Sequence, residues 1–112
     1  MMRRRQDPEP ALLGSLEEQV MLAVARTGGD AYGMNVRREL EAVTGRDVTI
    51  GSVYATLDRL EAKGLVASSR ATTAADGAER RIFALTRAGV LSLEQTRAVR
   101  DRLWLGVKLG TG

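Results

Sequence analysis

The stretch Thr49 to Val66, TIGSVYATLDRLEAKGLV, constrains the fold more than any other part of the chain. Thr49 offers a hydroxyl to cap a helix, Val53, Leu57 and Leu60 recur at helical spacing as one apolar stripe, and Gly64 sits where a left-handed stop is wanted. At about 100° per residue, Ser52, Ala55, Arg59 and Lys63 point away from that stripe, with Tyr54 and Asp58 on one flank. Such a helix anchors by one side and offers a short, partly polar face to a partner. It runs at once into the strand-like Leu65-Val66.

The flanking patterns supply the neighbours of this helix. Upstream, Ser15 followed by Glu18 reads as a capping box, and Leu16, Val20, Ala23 and Val24 then repeat at helical spacing, so a first helix is expected from Leu16 to Arg26. Asp30 is placed to cap a second helix, Ala31 to Thr44, whose stripe is Tyr32, Val36, Leu40 and Val43 and whose stop is Gly45. Downstream, LVASSR and RRIFAL read as two strands joined by ATTAADGAE, in which Asp76-Gly77 is the turn signal. Thr86 then caps a last helix running toward Leu109.

The chain of 112 residues has room for one domain core. The expected organisation is a mobile arm over 1–11, rich in Arg and Pro and more simply a frayed solvated terminus than an arm reaching nucleic acid, a main unit over 12–86, and a final helix and tail over 87–112. Apolar residues of that last helix occupy two sides, Leu91, Ala98 and Val99 on one and Leu93, Leu103, Trp104 and Val107 on another. One small domain covers only one of these, so either a partner subunit covers the other, which is the expectation, or the end of the helix is disordered.

Chemistry is bounded by what is missing. The chain has no Cys and no His, which removes disulfides, thiolate nucleophiles, Cys/His zinc sites and imidazole bases. The remaining hydroxyls and carboxylates sit at cap and surface spacings without a partner base, so no enzyme, cofactor or metal site is expected. The start, MMRRRQDPEP, lacks the apolar core of a signal peptide, and no apolar run is long enough for a membrane span, so a soluble cytoplasmic protein is expected. Lys and Arg number 17 against 14 Asp and Glu, and with Lys63 and Lys108 the two lysines, 15 of those cations are Arg, whose planar fork suits phosphates and guanine edges.

Helix, turn, helix and hairpin, in that order, define a mainly α (α+β) winged helix-turn-helix with three N-terminal helices, a β-hairpin wing and a C-terminal dimerisation helix. In this arrangement the helix beginning after Thr49 enters the DNA major groove, with Thr49, Ser52, Tyr54, Ala55, Arg59 and Lys63 as its DNA-facing residues, at its tip and along or beside its outer face. Arg70, Arg80 and Arg81 supply phosphate charge on the wing. Each residue also has a plainer role. Arg59 can be a solvated charge weakened by Asp58 and Glu61, Arg80 and Arg81 can be edge-strand charges, and Tyr54 is divided between packing and a phosphate contact.

The run AYGMNVRRELEAVTGRDVTIGSVYATLDRLEAKGLV, followed by ERRIFALTRAG, resembles the PadR family of bacterial transcriptional regulators. The resemblance rests on Tyr32-Gly33, on SVYATLDRLEAKGLV and on the LTRAG junction, and spans residues 12–92. It implies a homodimeric repressor on a palindromic double-stranded DNA operator. Leu16, Val20, Leu91, Val99, Leu103, Trp104 and Val107 would lie in the dimer interface. Some members bind flat aromatic or cationic compounds between subunits. Trp104 is the aromatic platform here for a small hydrophobic or aromatic ligand, although packing within the interface without a ligand is the simpler explanation. The wing departs from the family pattern in carrying Asp76 and Glu79. That acidity, with the mild net charge, leaves open a rival in which the winged helix is a protein-interaction module without a DNA role.

Overall fold

A computed structural model describes residues 12–72 and 76–110. Three helices, α1 (Ser15–Thr27), α2 (Gly33–Thr44) and α3 (Ile50–Ala62), precede an antiparallel hairpin of β1 (Val66–Thr72) and β2 (Glu79–Leu85), and α4 (Arg87–Trp104) follows. The expected architecture is therefore observed. The proposed N-terminal arm lies outside the described residues.

The core forms where the three helical stripes meet one face of the hairpin. Val20, Met21 and Val24 of α1, Val36 and Leu40 of α2, and Val53, Leu57 and Leu60 of α3 close around Phe83 of β2 and Leu65 and Val66 at the start of the wing. Strand register runs from Val66 opposite Leu85 to Thr72 opposite Glu79. The Phe83 amide also donates to the Ala31 carbonyl at 2.9 Å, stitching the wing to the segment ahead of α2.

That bond explains why α2 begins later than its sequence pattern suggests. Gly28 to Asp30 form a single 3-10 turn, and Ala31 and Tyr32 stay outside the helix until Gly33. Asp30 therefore does not cap α2. Its backbone carbonyl instead accepts from the Tyr32 amide and the Asn35 side chain. At α1 the cap likewise moves one residue upstream of Ser15. Gly14 is the N-cap and Glu17 Oε1 accepts from its amide at 3.2 Å, while Glu18 is drawn to Arg100 of α4 and Leu13 is held by Thr96. The remaining caps match the pattern, with Thr49 Oγ1 accepting from Ser52 N and Thr86 Oγ1 from Gly89 N. The last helix stops at Trp104, short of Leu109, because Gly106 turns the chain at a φ of 75°.

Two glycines mark where elements meet closely. A methyl group at Gly33 would lie 2.3 Å from Tyr54 Cζ, so the Tyr54 ring covers the first residue of α2 and ties α3 to it. At Gly89 it would lie 2.0 Å from the Leu65 carbonyl oxygen, so α4 rests directly on the junction between α3 and the wing. That oxygen belongs to backbone and has no rotamer by which to escape. Gly89→Ala is expected to lower the unfolding free energy by about 1–3 kcal/mol, read from urea denaturation, because an inserted methyl in a packed contact forces such shifts.

Candidate nucleic-acid interface

The surface expected to meet DNA is built from the N-terminal half of α3, the turn before it and the wing. Arg37 and Glu41, one turn apart on α2, fix that turn. Arg37 Nε donates to the Val48 carbonyl at 2.8 Å, and Glu41 Oε2 accepts from the Val48 amide at 3.1 Å. Both backbone polar groups of Val48 are thereby satisfied by side chains, which sets the direction in which α3 leaves. Sequence reading did not single out this pair, although its spacing of four residues on a helix was a usable signal.

Thr49, Ser52 and Ala55 are exposed at the leading end of α3, where unpaired amides and the helix dipole favour negative charge. Thr49 Oγ1 donates to Ser52 Oγ at 2.8 Å while accepting from the Ser52 amide. The hydroxyls are thus held in place at the helix tip. Tyr54 keeps 39% of its surface exposed while its ring packs on Gly33, so it both packs and presents an edge outward. Arg46 in the turn is also exposed and has no ion-pair partner among the described residues. It is a basic residue at the tip of a helix-turn-helix that the sequence pattern alone did not pick out.

The other predicted cations are held by carboxylates. Arg59 Nε lies 3.3 Å and Lys63 Nζ 2.8 Å from Glu17 Oε2 of α1. Arg70 lies 3.7 Å from Glu79 across the strand pair, and Arg80 pairs with Asp76 while its guanidinium sits 4.3 Å over the Tyr32 ring. Arg81 bridges two turns of α3, reaching Asp58 at 3.0 Å and pairing with Glu61, and it also donates to Ser68 Oγ. Glu61 in turn accepts from the Ser68 amide and hydroxyl. Arg81 thus clamps the wing to α3 and turns its charge toward protein. The fold brings these cations to one region but surrounds them with acids.

Electrostatics follow from these contacts. Hydrogen bonding from Lys63, aided by Gly14 and Arg59, outweighs burial and holds the Glu17 carboxyl below the ordinary glutamate range. Hydrogen bonds from Ser68 and then Arg81 do the same for Glu61. Partial burial opposes the charge on Arg81, but its bonds to Asp58 and Glu61 more than offset this.

The residues expected at a subunit interface separate into two sets. Val20 is 0% exposed within its own chain's core, and Leu16 packs against that core. Leu91 is exposed, Val99 half-buried, and Leu103, Trp104 and Val107 stand out at the end of α4, Leu103 with 71% and Trp104 with 57% of their surface free. Among the described residues no cluster of three acids could hold a metal, and no helix is long and apolar enough to cross a membrane.

Helices packed in this order with an antiparallel wing define a winged helix-turn-helix protein, the class that reads DNA with its third helix. The model of the PadR-like family of transcriptional regulators matches residues 21–95, and the chain belongs to that family. It is a DNA-binding transcriptional regulator and not an enzyme. No curated protein matches it significantly. RosR of H. salinarum shares 25% identity at a TM-score of 0.64, with 86% of this chain and 81% of that one covered. A Streptococcus transcriptional regulator superposes at 0.69 with 23% identity over 80% and 85%, and a PadR-like regulator of Bacillus cereus at 0.65 with 19% over 83% and 93%. The last two attest to the fold alone.

Two outcomes test this electrostatic arrangement. A carboxyl whose folded pKa is depressed stabilises fully above its unfolded value, about 4.3 for glutamate, and loses that contribution as pH falls through the folded value. Stability should therefore decline as the protein is acidified below that range, and more shallowly in Glu17→Gln, as followed by urea midpoints against pH. Arg81→Ala should speed amide hydrogen exchange in the hairpin while leaving the α1–α3 core protected. Arg81→Lys should not restore it, because an ammonium cannot span both carboxylates as a guanidinium does.

Proposed function

We propose that the chain works as a homodimeric repressor, occupying a two-fold symmetric operator and excluding polymerase. The supporting observation is the end of α4 and the segment after it, where Leu103 and Trp104, then Leu105, Val107 and Leu109, are all exposed. Monomeric proteins seldom leave so much contiguous apolar surface in water, and a second copy is the partner always present at matching concentration. Symmetry then doubles the DNA contacts and ties operator spacing to the dimer. On this reading Thr49, Ser52, Tyr54 and Ala55 meet the major groove, Arg46, Arg70 and Arg80 approach phosphates, and Leu91, Leu103, Trp104 and Val107 meet the other subunit.

Trp104 is the one tryptophan, so its emission reports on that interface. Dilution through the dimer dissociation range should shift the emission to longer wavelength, and a constant spectrum across a measured change in mass would remove Trp104 from the interface. A small aromatic ligand bound there would quench it and release the operator together. Truncation after Leu91 should abolish dimerisation, seen by sedimentation, and tight operator binding, seen by gel shift. A purely protein-binding winged helix would leave duplex unbound and hold its protein partner with an affinity indifferent to salt, whereas phosphate contacts weaken steeply with it.

A further inference from the structure

Glu17 links the first helix to the third. It belongs to α1, 42 residues from Arg59 and 46 from Lys63, yet one of its oxygens takes both Arg59, in the trailing half of α3, and Lys63, which caps that helix. Its other oxygen accepts from the Gly14 amide, closing the start of α1. The residue is only 8% exposed, whereas the side chains it holds are half open to solvent.

This asymmetry decides which ion pairs can be exchanged for phosphate. Arg70 with Glu79 is open to water on both sides, so either partner can leave and be rehydrated at small cost. Withdrawing Arg59 and Lys63 would instead leave a nearly buried carboxylate facing an incoming polyanion without its partners. A phosphate close to Arg59 would also meet the charge of Glu17 across the same short distance.

We propose that Glu17 is a specificity-determining residue that withholds Arg59 and Lys63 from the DNA backbone, so that binding depends on the leading end of α3, Arg46 and the wing rather than on sequence-independent charge along the whole helix. The inference rests on the DNA-binding reading and adds to it a restraint on non-specific affinity. Non-specific binding arises almost entirely from phosphate neutralisation, so lowering the number of available cations sharpens the difference between operator and other DNA.

Fluorescence anisotropy of the full chain with a random-sequence duplex, titrated at several salt concentrations, tests this. Glu17→Gln keeps an acceptor for the Gly14 amide but releases the cations, and it should steepen the log–log salt slope by about 1–2, since each added phosphate contact contributes about 0.9. Glu94→Gln makes the same change in net charge on α4 and should leave the slope as in wild type. Adding Arg59→Ala and Lys63→Ala to Glu17→Gln should return the slope to the wild-type value, and the same pair in the wild-type background should barely move it. A slope reduced by about 2 in that last variant would show both cations already on phosphate and overturn the proposal, even if Glu17→Gln folds poorly. An unchanged slope in folded Glu17→Gln would overturn it as well, with the DNA-binding reading intact. Absence of random-duplex binding by every variant, Glu17→Gln included, would overturn the proposal and leave the DNA-binding reading to be tested on duplex selected from a random pool.

Discussion

The hydrogen bond from the Phe83 amide to the Ala31 carbonyl joins the wing to the helical layer, and much of the geometry depends on it. By holding Ala31 it keeps the chain out of helix until Gly33, and the missing side chain at Gly33 lets Tyr54 lie over the start of α2. Phe83 itself is almost wholly buried among residues of α1, α2 and α3, so the strand cannot slide by one residue without exchanging that ring for the half-buried Ile82 or the exposed Ala84. Register, helix start and the seating of α3 are therefore settled together.

Charge in this domain is governed by pairing rather than by totals. A surplus of three positive charges suggests a basic face, yet the cations on the outer side of α3 and on the wing each have a carboxylate close by. These pairs are unequal. Exposed ones contribute about 0–1 kcal/mol and can be traded for other anions, whereas removing one partner of a buried pair costs about 3–5 kcal/mol. The Glu17 carboxylate is largely covered while its two cations stand half open, so these pairs fall between the two limits and the Arg70–Glu79 pair at the exposed one, and a uniform count of basic residues overstates what α3 can offer to phosphate.

The same distinction explains what could be read from sequence. The stripe of Val53, Leu57 and Leu60, the Thr49 and Thr86 caps, the Gly45 stop and the Asp76-Gly77 turn are local, and local patterns identify them. Ser15 and Asp30 looked equally local as caps. Their helices start elsewhere because Leu13 is drawn to Thr96 and Ala31 to Phe83, contacts between residues far apart in the chain. The partners of Arg59 and Lys63 were hidden for that reason too, since nothing near them in sequence points to Glu17. Val20 shows a related limit. An apolar stripe reveals that a residue is buried, but not whether its own chain or another one buries it.

In the proposed dimer, the position of α4 has consequences for DNA reading. Thr86 Oγ1 donates to the Gly64 carbonyl and its amide to the Leu65 carbonyl, and Gly89 abuts that same carbonyl, so the root of α4 is fixed to the point where α3 ends and the wing begins. Its 18 residues rise about 27 Å at 1.5 Å each, carrying Leu103 and Trp104 well away from that root. A partner gripping the far end would act through a rigid lever on α3. Two recognition helices must lie about 34 Å apart to enter successive major grooves, so a small rotation at the α4 interface would change their separation. The apolar end of α4 would thus set operator spacing through its rigid connection, without touching DNA.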